Sequence, residues 1–165
     1  MTVKAKLTRK EIADRVKEAV GYYLFHMKYS VSYELGVLPW GRRRADVIAN
    51  KISGALIIVE VKSSVADFTT DSKWTEYLHH ADKFYLAMPF KVWARIRKNR
   101  ELLKTIPGGV GVLTLGKTGF MKVRKQARNM DLSDEARIPI LARLAWRRGE
   151  LSKRTTRARK RIYLD

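Results

Sequence analysis

The stretch ALIIVEVKSS, from Ala55 to Ser64, places two charged residues at the end of an apolar strand. Five apolar residues lead directly to Glu60, and a single valine separates Glu60 from Lys62. Such a strand belongs in a protein interior, where an isolated charge is costly. Because side chains alternate between the faces of a strand, Glu60 and Lys62 share one face, and Val59 and Val61 share the other. The two charges therefore indicate either a cross-strand ion pair or a functional site.

A second carboxylate is expected beside this pair. The preceding strand, RADVIA from Arg44 to Ala49, carries Asp46. If the turn between the two strands is centred near Ser53, residues whose numbers sum to about 106 oppose each other, and Asp46 lies across from Glu60. Two carboxylates in a partly buried site repel each other and raise a pKa unless a cation lies between them. Mg²⁺ prefers oxygen-rich sites with few protein ligands, and Lys62 can orient a water or neutralise charge on a phosphate.

The charge balance indicates a polyanionic partner. The chain has 35 Lys and Arg residues against 16 Asp and Glu residues, which gives a formal net charge of +19. A compact domain with that charge repels itself unless a polyanion is nearby, so nucleic acid is the leading partner. An anionic membrane surface is the alternative, but no basic amphipathic segment or lipidation motif supports it.

The composition is typical of one folded intracellular domain. A chain of 165 residues that is 45% hydrophobic can bury a core. No apolar run approaches a membrane span, and the N-terminal MTVKAKLTRKE lacks the apolar region of a signal peptide. The absence of cysteine excludes disulfides and thiolate chemistry. We therefore expect a cytoplasmic protein.

Residue patterns predict the element order αβββαβ, followed by a hairpin and a last helix. Thr8 and Glu11 have capping-box spacing and predict the start of the first helix. Apolar runs broken by turns predict three strands between residues 31 and 64. The segment from Thr69 to Pro89 predicts a helix and then a short strand, and the turn of the hairpin is expected at residues 116–119. The last helix is expected to be interrupted near Pro139.

The segments RRRADVIAN and ALIIVEVKSSVADFTTDSKWTEYLHHADKFYLAMP resemble the PD-(D/E)XK nuclease superfamily, most closely the MmcB-type DNA-repair proteins and their phage-borne relatives. The resemblance covers about residues 30 to 89 well and continues more loosely through IPGGVGVLTL and FMKVRKQA. It implies an α/β fold, with a restriction-endonuclease-like αβββαβ core in which helices flank a mixed central sheet. The nuclease-like domain is expected over residues 1–150, and a basic tail over residues 151–165.

The resemblance also implies the site residues. Asp46 on the second strand, with Glu60 and Lys62 on the third, would be catalytic. Asp46 and Glu60 would hold Mg²⁺ or Mn²⁺, helped by the Val61 carbonyl. Ala45 stands where this superfamily often has proline, which leaves the carboxylate of Asp46 in place.

The sequence offers two candidates for a further acid of the site and a set of basic residues for DNA contact. An additional acid in this superfamily comes from the first helix or the first strand, so Glu18 and Glu34 are the candidates. Glu34 alternates with apolar neighbours on an inner strand, whereas Glu18 is more simply a solvated helix residue. Trp74 and Tyr77 are interpreted as core residues. The residues expected to contact DNA are basic ones beside the site and in the tail: Arg42, Arg43, Arg44, Lys73, Lys153, Arg154, Arg157, Arg159, Lys160 and Arg161.

These patterns together predict a metal-dependent DNA nuclease, an endonuclease in the first instance, that acts in DNA repair, recombination or phage DNA processing. One alternative is a nucleic-acid-binding protein that keeps the nuclease fold without cutting. Another is a recombination partner that docks DNA for a different enzyme. No small-molecule cofactor is expected. The substrate structure and the oligomeric state stay open, and a homodimer is one possibility.

Overall fold

The computed structural model describes residues 7–38 and 42–148. No helix within these ranges is long and apolar enough to cross a membrane. The predicted division into a domain over 1–150 and a tail over 151–165 stays a prediction, since residues 149–165 lie outside the described ranges.

The elements are α1 (Arg9–His26), β1 (Ser30–Gly36), β2 (Arg44–Asn50), β3 (Leu56–Val61), α2 (Val65–Thr70), a 3₁₀ helix (Lys73–Tyr77), β4 (Lys83–Pro89), α3 (Phe90–Lys98), α4 (Arg100–Lys104), β5 (Gly111–Leu115), β6 (Met121–Lys125) and α5 (Asp134–Arg148).

The six strands form one mixed sheet in the order β1-β2-β3-β4-β5-β6. β2 lies between β1 and β3 and is antiparallel to both. β3, β4 and β5 are parallel, and β6 returns antiparallel to β5. The predicted αβββαβ order and the hairpin after it are therefore confirmed. This is the α/β fold with a restriction-endonuclease-like core that the sequence predicts.

Two predicted helices differ from those observed. The helix expected after Thr69 is replaced by the short α2, which begins earlier, and by the 3₁₀ helix. Asp71 ends α2 because its backbone is extended there. The last helix runs through Pro139 without interruption. Proline removes the hydrogen bond to the carbonyl of Glu135, but that residue is exposed on the first turn, where water can satisfy the carbonyl.

The sheet separates two apolar layers. One face packs on α1 and the other on α3 and α5. Every residue of β3 is buried, which places the carboxylate of Glu60 inside the protein. Complete burial of a valine, leucine or isoleucine side chain contributes roughly 1.5–3 kcal/mol, so these layers supply the main stabilisation. Packing residues include Val16, Val20 and Leu24 of α1, Val92, Trp93 and Ile96 of α3, and Ile140 and Leu144 of α5.

α1 lies close to β1 because it has a glycine at the contact. The capping box of Thr8 and Glu11 is present, so the predicted start of α1 is confirmed. At Gly21 an added Cβ would lie 1.9 Å from the hydroxyl oxygen of Tyr33. Glycine in a helix interior costs up to about 1 kcal/mol relative to alanine. That cost is offset by the close packing of the Tyr33 ring against the helix.

Gly21→Ala should lower the free energy of unfolding by roughly 1–3 kcal/mol, because the new methyl group overlaps the Tyr33 hydroxyl. In a Tyr33→Ala background the same change should raise it by up to about 1 kcal/mol, since only the helix propensity remains. Urea denaturation of the four proteins measures both effects. A destabilisation of equal size in both backgrounds would contradict the contact.

Candidate active site

The candidate site lies where β2 and β3 stop pairing. Val47 lies opposite Val59, so the two residue numbers sum to 106, and the predicted register is confirmed. One residue beyond this pair, Asp46 leaves the ladder, and its Oδ2 accepts a hydrogen bond from the Val61 amide at 2.8 Å. The carboxylate therefore replaces the strand partner of a backbone N–H group. This contact fixes Asp46 beside the last residues of β3.

Glu60 is a buried carboxyl with a shifted pKa. Its side chain belongs to a residue that is only 7% exposed, and its Oε2 accepts a hydrogen bond from the Tyr77 hydroxyl at 2.7 Å. Burial, together with the negative charge of Asp46, raises the pKa of Glu60 to about 7. Tyr77 is in the core, as predicted from its spacing, but its contact with Glu60 was not predicted. The phenol holds one oxygen of the carboxyl in place.

Lys62 is completely buried, with 0% of its surface exposed. Its Nζ donates a hydrogen bond to Oδ2 of Asp71 at 2.7 Å and lies 3.5 Å from Oε1 of Glu60. Burial raises the pKa of Asp71, but the hydrogen bonds from Lys62 and from the Lys73 amide outweigh it, so the pKa lies below its usual value. Asp71 is therefore the residue that neutralises Lys62. This role was not visible in the sequence, because no local pattern relates residues 62 and 71.

Glu34 enters the same region from β1. Its neighbours pair as Tyr33 with Val47 and Leu35 with Ala45, which places Glu34 at the level of Asp46. Its φ of 52° lies in the left-handed region, which costs a non-glycine residue on the order of 1 kcal/mol or more. Glu18, the other candidate acid, is exposed on α1.

A lysine that sequence analysis missed joins Glu34 to Asp46. Lys17 of α1 donates a hydrogen bond to Glu34, and its Nζ lies 3.5 Å from Oδ1 of Asp46. Burial lowers the pKa of Lys17, but the two carboxylates raise it by more, so the ammonium stays charged. The resemblance to the superfamily predicted an acid on this helix and so drew attention to Glu18, the next residue. The sequence did contain one indication of Lys17: it directly follows Val16, which is buried on the inner side of the helix.

The negative charge of Asp46 is only partly stabilised by its neighbours. Burial raises its pKa, the Val61 amide and Lys17 oppose that shift, and Glu34 adds to it. Among the described residues, no three His, Asp or Glu side chains converge on one point that could hold a metal ion. The oxygen donors at this end of β3 are two carboxylates, from the half-buried Asp46 and the buried Glu60. Their raised pKa values fit a divalent cation, which would remove their repulsion.

Several predicted DNA contacts lie around Glu60. A cavity of about 350 Å³ opens over it. Arg43 forms two hydrogen bonds with Glu76, at 2.7 and 2.6 Å, and is therefore held in an ion pair with that residue. Arg42 and Arg44 are exposed. The cavity is lined by Glu34, Arg43, Arg44, Glu60, Asp71, Lys73 and Tyr77.

The tail residues lie outside the described ranges. Their contact with DNA therefore stays a prediction. They are Lys153, Arg154, Arg157, Arg159, Lys160 and Arg161.

Comparison with known proteins agrees with this α/β fold. Over residues 2–149 the sequence matches the family described as DNA repair protein MmcB-like, and the chain belongs to that family. The predicted family resemblance is thus confirmed. Among curated proteins, none matches closely enough to count as a relative.

Solved structures include one with a clearly similar fold. It is a protein of unknown function, SPO1766 from Silicibacter pomeroyi, with a TM-score of 0.67 and 23% identity over 88% of this chain and 92% of that one. A toxin and immunity complex, CdiA-CT/CdiI from Burkholderia pseudomallei, has a TM-score of 0.37 and 18% identity over 75% of this chain and 94% of that one. The first likeness shows the fold, and the second is too weak to carry an argument.

Glu60→Gln should change how stability depends on pH. The carboxyl has a pKa of about 7 in the folded protein and near 4.5 when unfolded, so the unfolded state releases the proton first as pH rises. With metal removed by a chelator, raising the pH from 4.5 to 7 should therefore lower the free energy of unfolding of the wild type relative to Glu60→Gln by on the order of 3 kcal/mol. Urea denaturation from pH 4.5 to 8 tests this. Parallel pH profiles would contradict the buried carboxyl.

Asp71→Ala should lower the free energy of unfolding by about 3 kcal/mol, because it removes the close partner of a buried ammonium. Lys62→Met in the same background should recover part of the loss, since no buried charge then lacks a partner. Urea denaturation of both single variants and the double variant gives the coupling. Strict additivity would show that the two side chains do not interact.

Proposed function

We propose that the protein is a metal-dependent DNA nuclease that hydrolyses phosphodiester bonds, in the first instance as an endonuclease. The family to which the chain belongs is described as a DNA-repair family, which supports a function on DNA. One observation carries the proposal. The half-buried Asp46 lies close enough to the buried Glu60 for its charge to act on it, and together with burial this raises the pKa of Glu60 to about 7. A protein that only binds phosphate gains nothing from two carboxylates at the binding site.

The proposed cofactor is Mg²⁺ or Mn²⁺, held by Asp46 and Glu60 with the Val61 carbonyl. When bound, such an ion supplies Lewis-acid stabilisation of charge on the phosphate and lowers the pKa of a water. The chain fixes both carboxylates beforehand. The Val61 amide holds Asp46, and the Tyr77 hydroxyl holds Glu60.

Lys62 is proposed to position the attacking water or a phosphate oxygen. An ammonium has three N–H donors. Asp71 and Glu60 occupy up to two of them, which leaves at least one donor for the substrate. Because the side chain is completely buried and held by Asp71, Lys62 reaches the substrate only if the segment around Asp71 moves when DNA binds.

Basic residues around the cavity are proposed to hold the DNA backbone. Arg44 and Lys73 line the cavity over Glu60 and are exposed, so both can reach a phosphate. Arg43 would have to exchange Glu76 for the phosphate. Arg42 is exposed next to it.

One observation favours the second candidate function, a DNA-binding protein that does not cut. Lys17 lies 3.5 Å from Asp46 and also contacts Glu34, so part of the negative charge of the site is neutralised by the chain itself. In that case the carboxylates would serve only to fix α1 to the sheet. Metal-dependent cleavage separates the two functions.

The decisive experiment incubates labelled DNA substrates with the protein in Mg²⁺, Mn²⁺ or EDTA. The panel contains single-stranded, duplex, nicked, flapped and branched DNA. Asp46→Asn and Glu60→Gln preserve side-chain shape and should each reduce the cleavage rate by at least about a hundredfold, because bound metal contributes several kcal/mol to the reaction. Glu101→Gln is the control, since that exposed acid contacts only Lys104 on its own helix.

Binding is measured separately by fluorescence anisotropy in EDTA. Both site variants should bind DNA at least as tightly as the wild type, because each removes a negative charge. Cleavage by Glu60→Gln at the wild-type rate would show that the site is elsewhere. Tight binding without cleavage of any substrate in either metal would favour the non-cutting function.

A further inference from the structure

Among the described residues, positive charge is concentrated in the segment that forms β4, β5 and β6 with the helices between them. Residues 83–130, which comprise β4, α3, α4, β5 and β6, contain twelve Lys and Arg residues and one acid, Glu101, a formal charge of +11. The other described residues, 7–38, 42–82 and 131–148, together carry a formal charge of only +2. A one-sided concentration of this size is the electrostatic footprint of a nucleic-acid-binding face.

An exposed phenylalanine lies at the tip of this basic segment. The turn between β5 and β6 is closed by a hydrogen bond from the Gly119 amide to the Gly116 carbonyl at 3.2 Å, and Gly119 has a φ of 77°. Phe120 follows the turn directly and is 75% exposed, whereas the next residue, Met121, is buried. A large apolar ring held in water at the end of a structured turn is available to a partner.

Basic side chains continue from Phe120 along the edge strand. Alternation places Lys122 and Arg124 on the same face as Phe120, and we call these three residues the hairpin stripe. Arg124 is fixed by a hydrogen bond to the Thr114 hydroxyl at 3.0 Å, and its guanidinium lies 4.7 Å from the ring centroid of Phe90. Lys122 is exposed. The stripe thus combines an aromatic ring with cations on a rigid hairpin.

The hairpin stripe begins at the same end of the sheet as the candidate active site. β3, β4 and β5 are parallel, so Val61, Pro89 and Leu115 end at one side. Lys62 follows the first of these strands, and the turn before Phe120 follows the last. Three strand spacings separate β3 from β6, which is about 14 Å. That distance equals the axial rise of about four base pairs.

We propose that Phe120 stacks on an unpaired or terminal base where duplex DNA is interrupted, while the adjacent lysines and arginines hold the flanking phosphates. Apolar side chains insert between base steps, and aromatic rings stack on bases without sequence preference. In continuous duplex the ring must first unstack a base step, whereas a fork, flap or nick offers an exposed base face. The proposed stacking depends only on the exposure of Phe120 and on the positive charge of residues 83–130. If the protein is the proposed nuclease, the same spacing places cleavage about four nucleotides from the junction, and this consequence rests on the proposed function.

The test measures binding in EDTA, so that no cleavage is involved. Anisotropy gives the affinity of Phe120→Ala, Phe120→Trp and wild type for a forked duplex and for a continuous duplex of equal length. Phe120→Ala should lose about fivefold to a hundredfold affinity for the fork, with little change on the continuous duplex. Phe120→Trp should keep the preference. Phe25→Ala is the matched control, because Phe25 is 66% exposed on α1, near the opposite end of the sheet.

A salt titration separates stacking from charge. Lys122→Gln should weaken binding to both DNAs and flatten the dependence of log affinity on log salt by about 0.9, whereas Phe120→Ala should leave that slope unchanged. The proposal would be overturned if Phe120→Ala lost the same affinity for the fork and for the continuous duplex. It would also be overturned if the variant lost affinity for neither DNA, and the exposed ring would then be assigned to a protein partner.

Cleavage then reports on the nuclease function independently. If a fork preference that depends on Phe120 is found but no metal cuts the fork, stacking stands and the proposed nuclease function fails. If the fork is cut, Phe120→Ala should lose the preferred cut position near four nucleotides while still cutting. Cutting at the same position in both proteins would overturn the link between the stripe and the site.

Discussion

The buried ammonium of Lys62 is the constraint on which the rest of the site depends. A fully buried charge is tolerated only when it is paired, and here Asp71 contacts it directly while Glu60 lies slightly further away. Asp71 can reach Lys62 because α2 ends at that residue with an extended backbone. The short 3₁₀ helix that follows then brings the Tyr77 hydroxyl to Glu60. The segment after β3 therefore supplies hydrogen-bond partners for two polar side chains at the end of that strand, Glu60 and Lys62.

The sheet divides the molecule into two halves with different chemistry. The antiparallel half brings acids together at one end, where Glu34, Asp46 and Glu60 come from three successive strands. The parallel half and its hairpin carry most of the positive charge. Parallel strands end on the same side of a sheet, so the acidic site and the turn before Phe120 lie at the same end. The carboxylates are therefore about three strand spacings from the start of the hairpin stripe.

Backbone strain coincides with the site. Glu34 and Arg43 have φ values of 52° and 53°, in the left-handed region that non-glycine residues rarely adopt. The first contacts Lys17 and the second contacts Glu76, so each strained residue is held by an ion pair. Ion pairs that are exposed contribute about 1 kcal/mol or less, which is similar to the cost of the conformation. The strain therefore aims side chains into the cavity at little net cost.

The sequence by itself determined the order of the elements, the alternation that places Glu60 with Lys62, and the register that places Asp46 beside them. These features depend on neighbouring residues and on a short hairpin, so local periodicity and turn position are sufficient. Only the tertiary structure decided that Lys17, Asp71 and Tyr77 complete the site, since they come from elements whose approach depends on how α1 and the segment after β3 pack. Local patterns also failed at Pro139, where an exposed carbonyl lets the helix continue. The concentration of charge on β4 to β6 is visible in the sequence, but its position beside the carboxylates follows from strand direction, which only the fold defines.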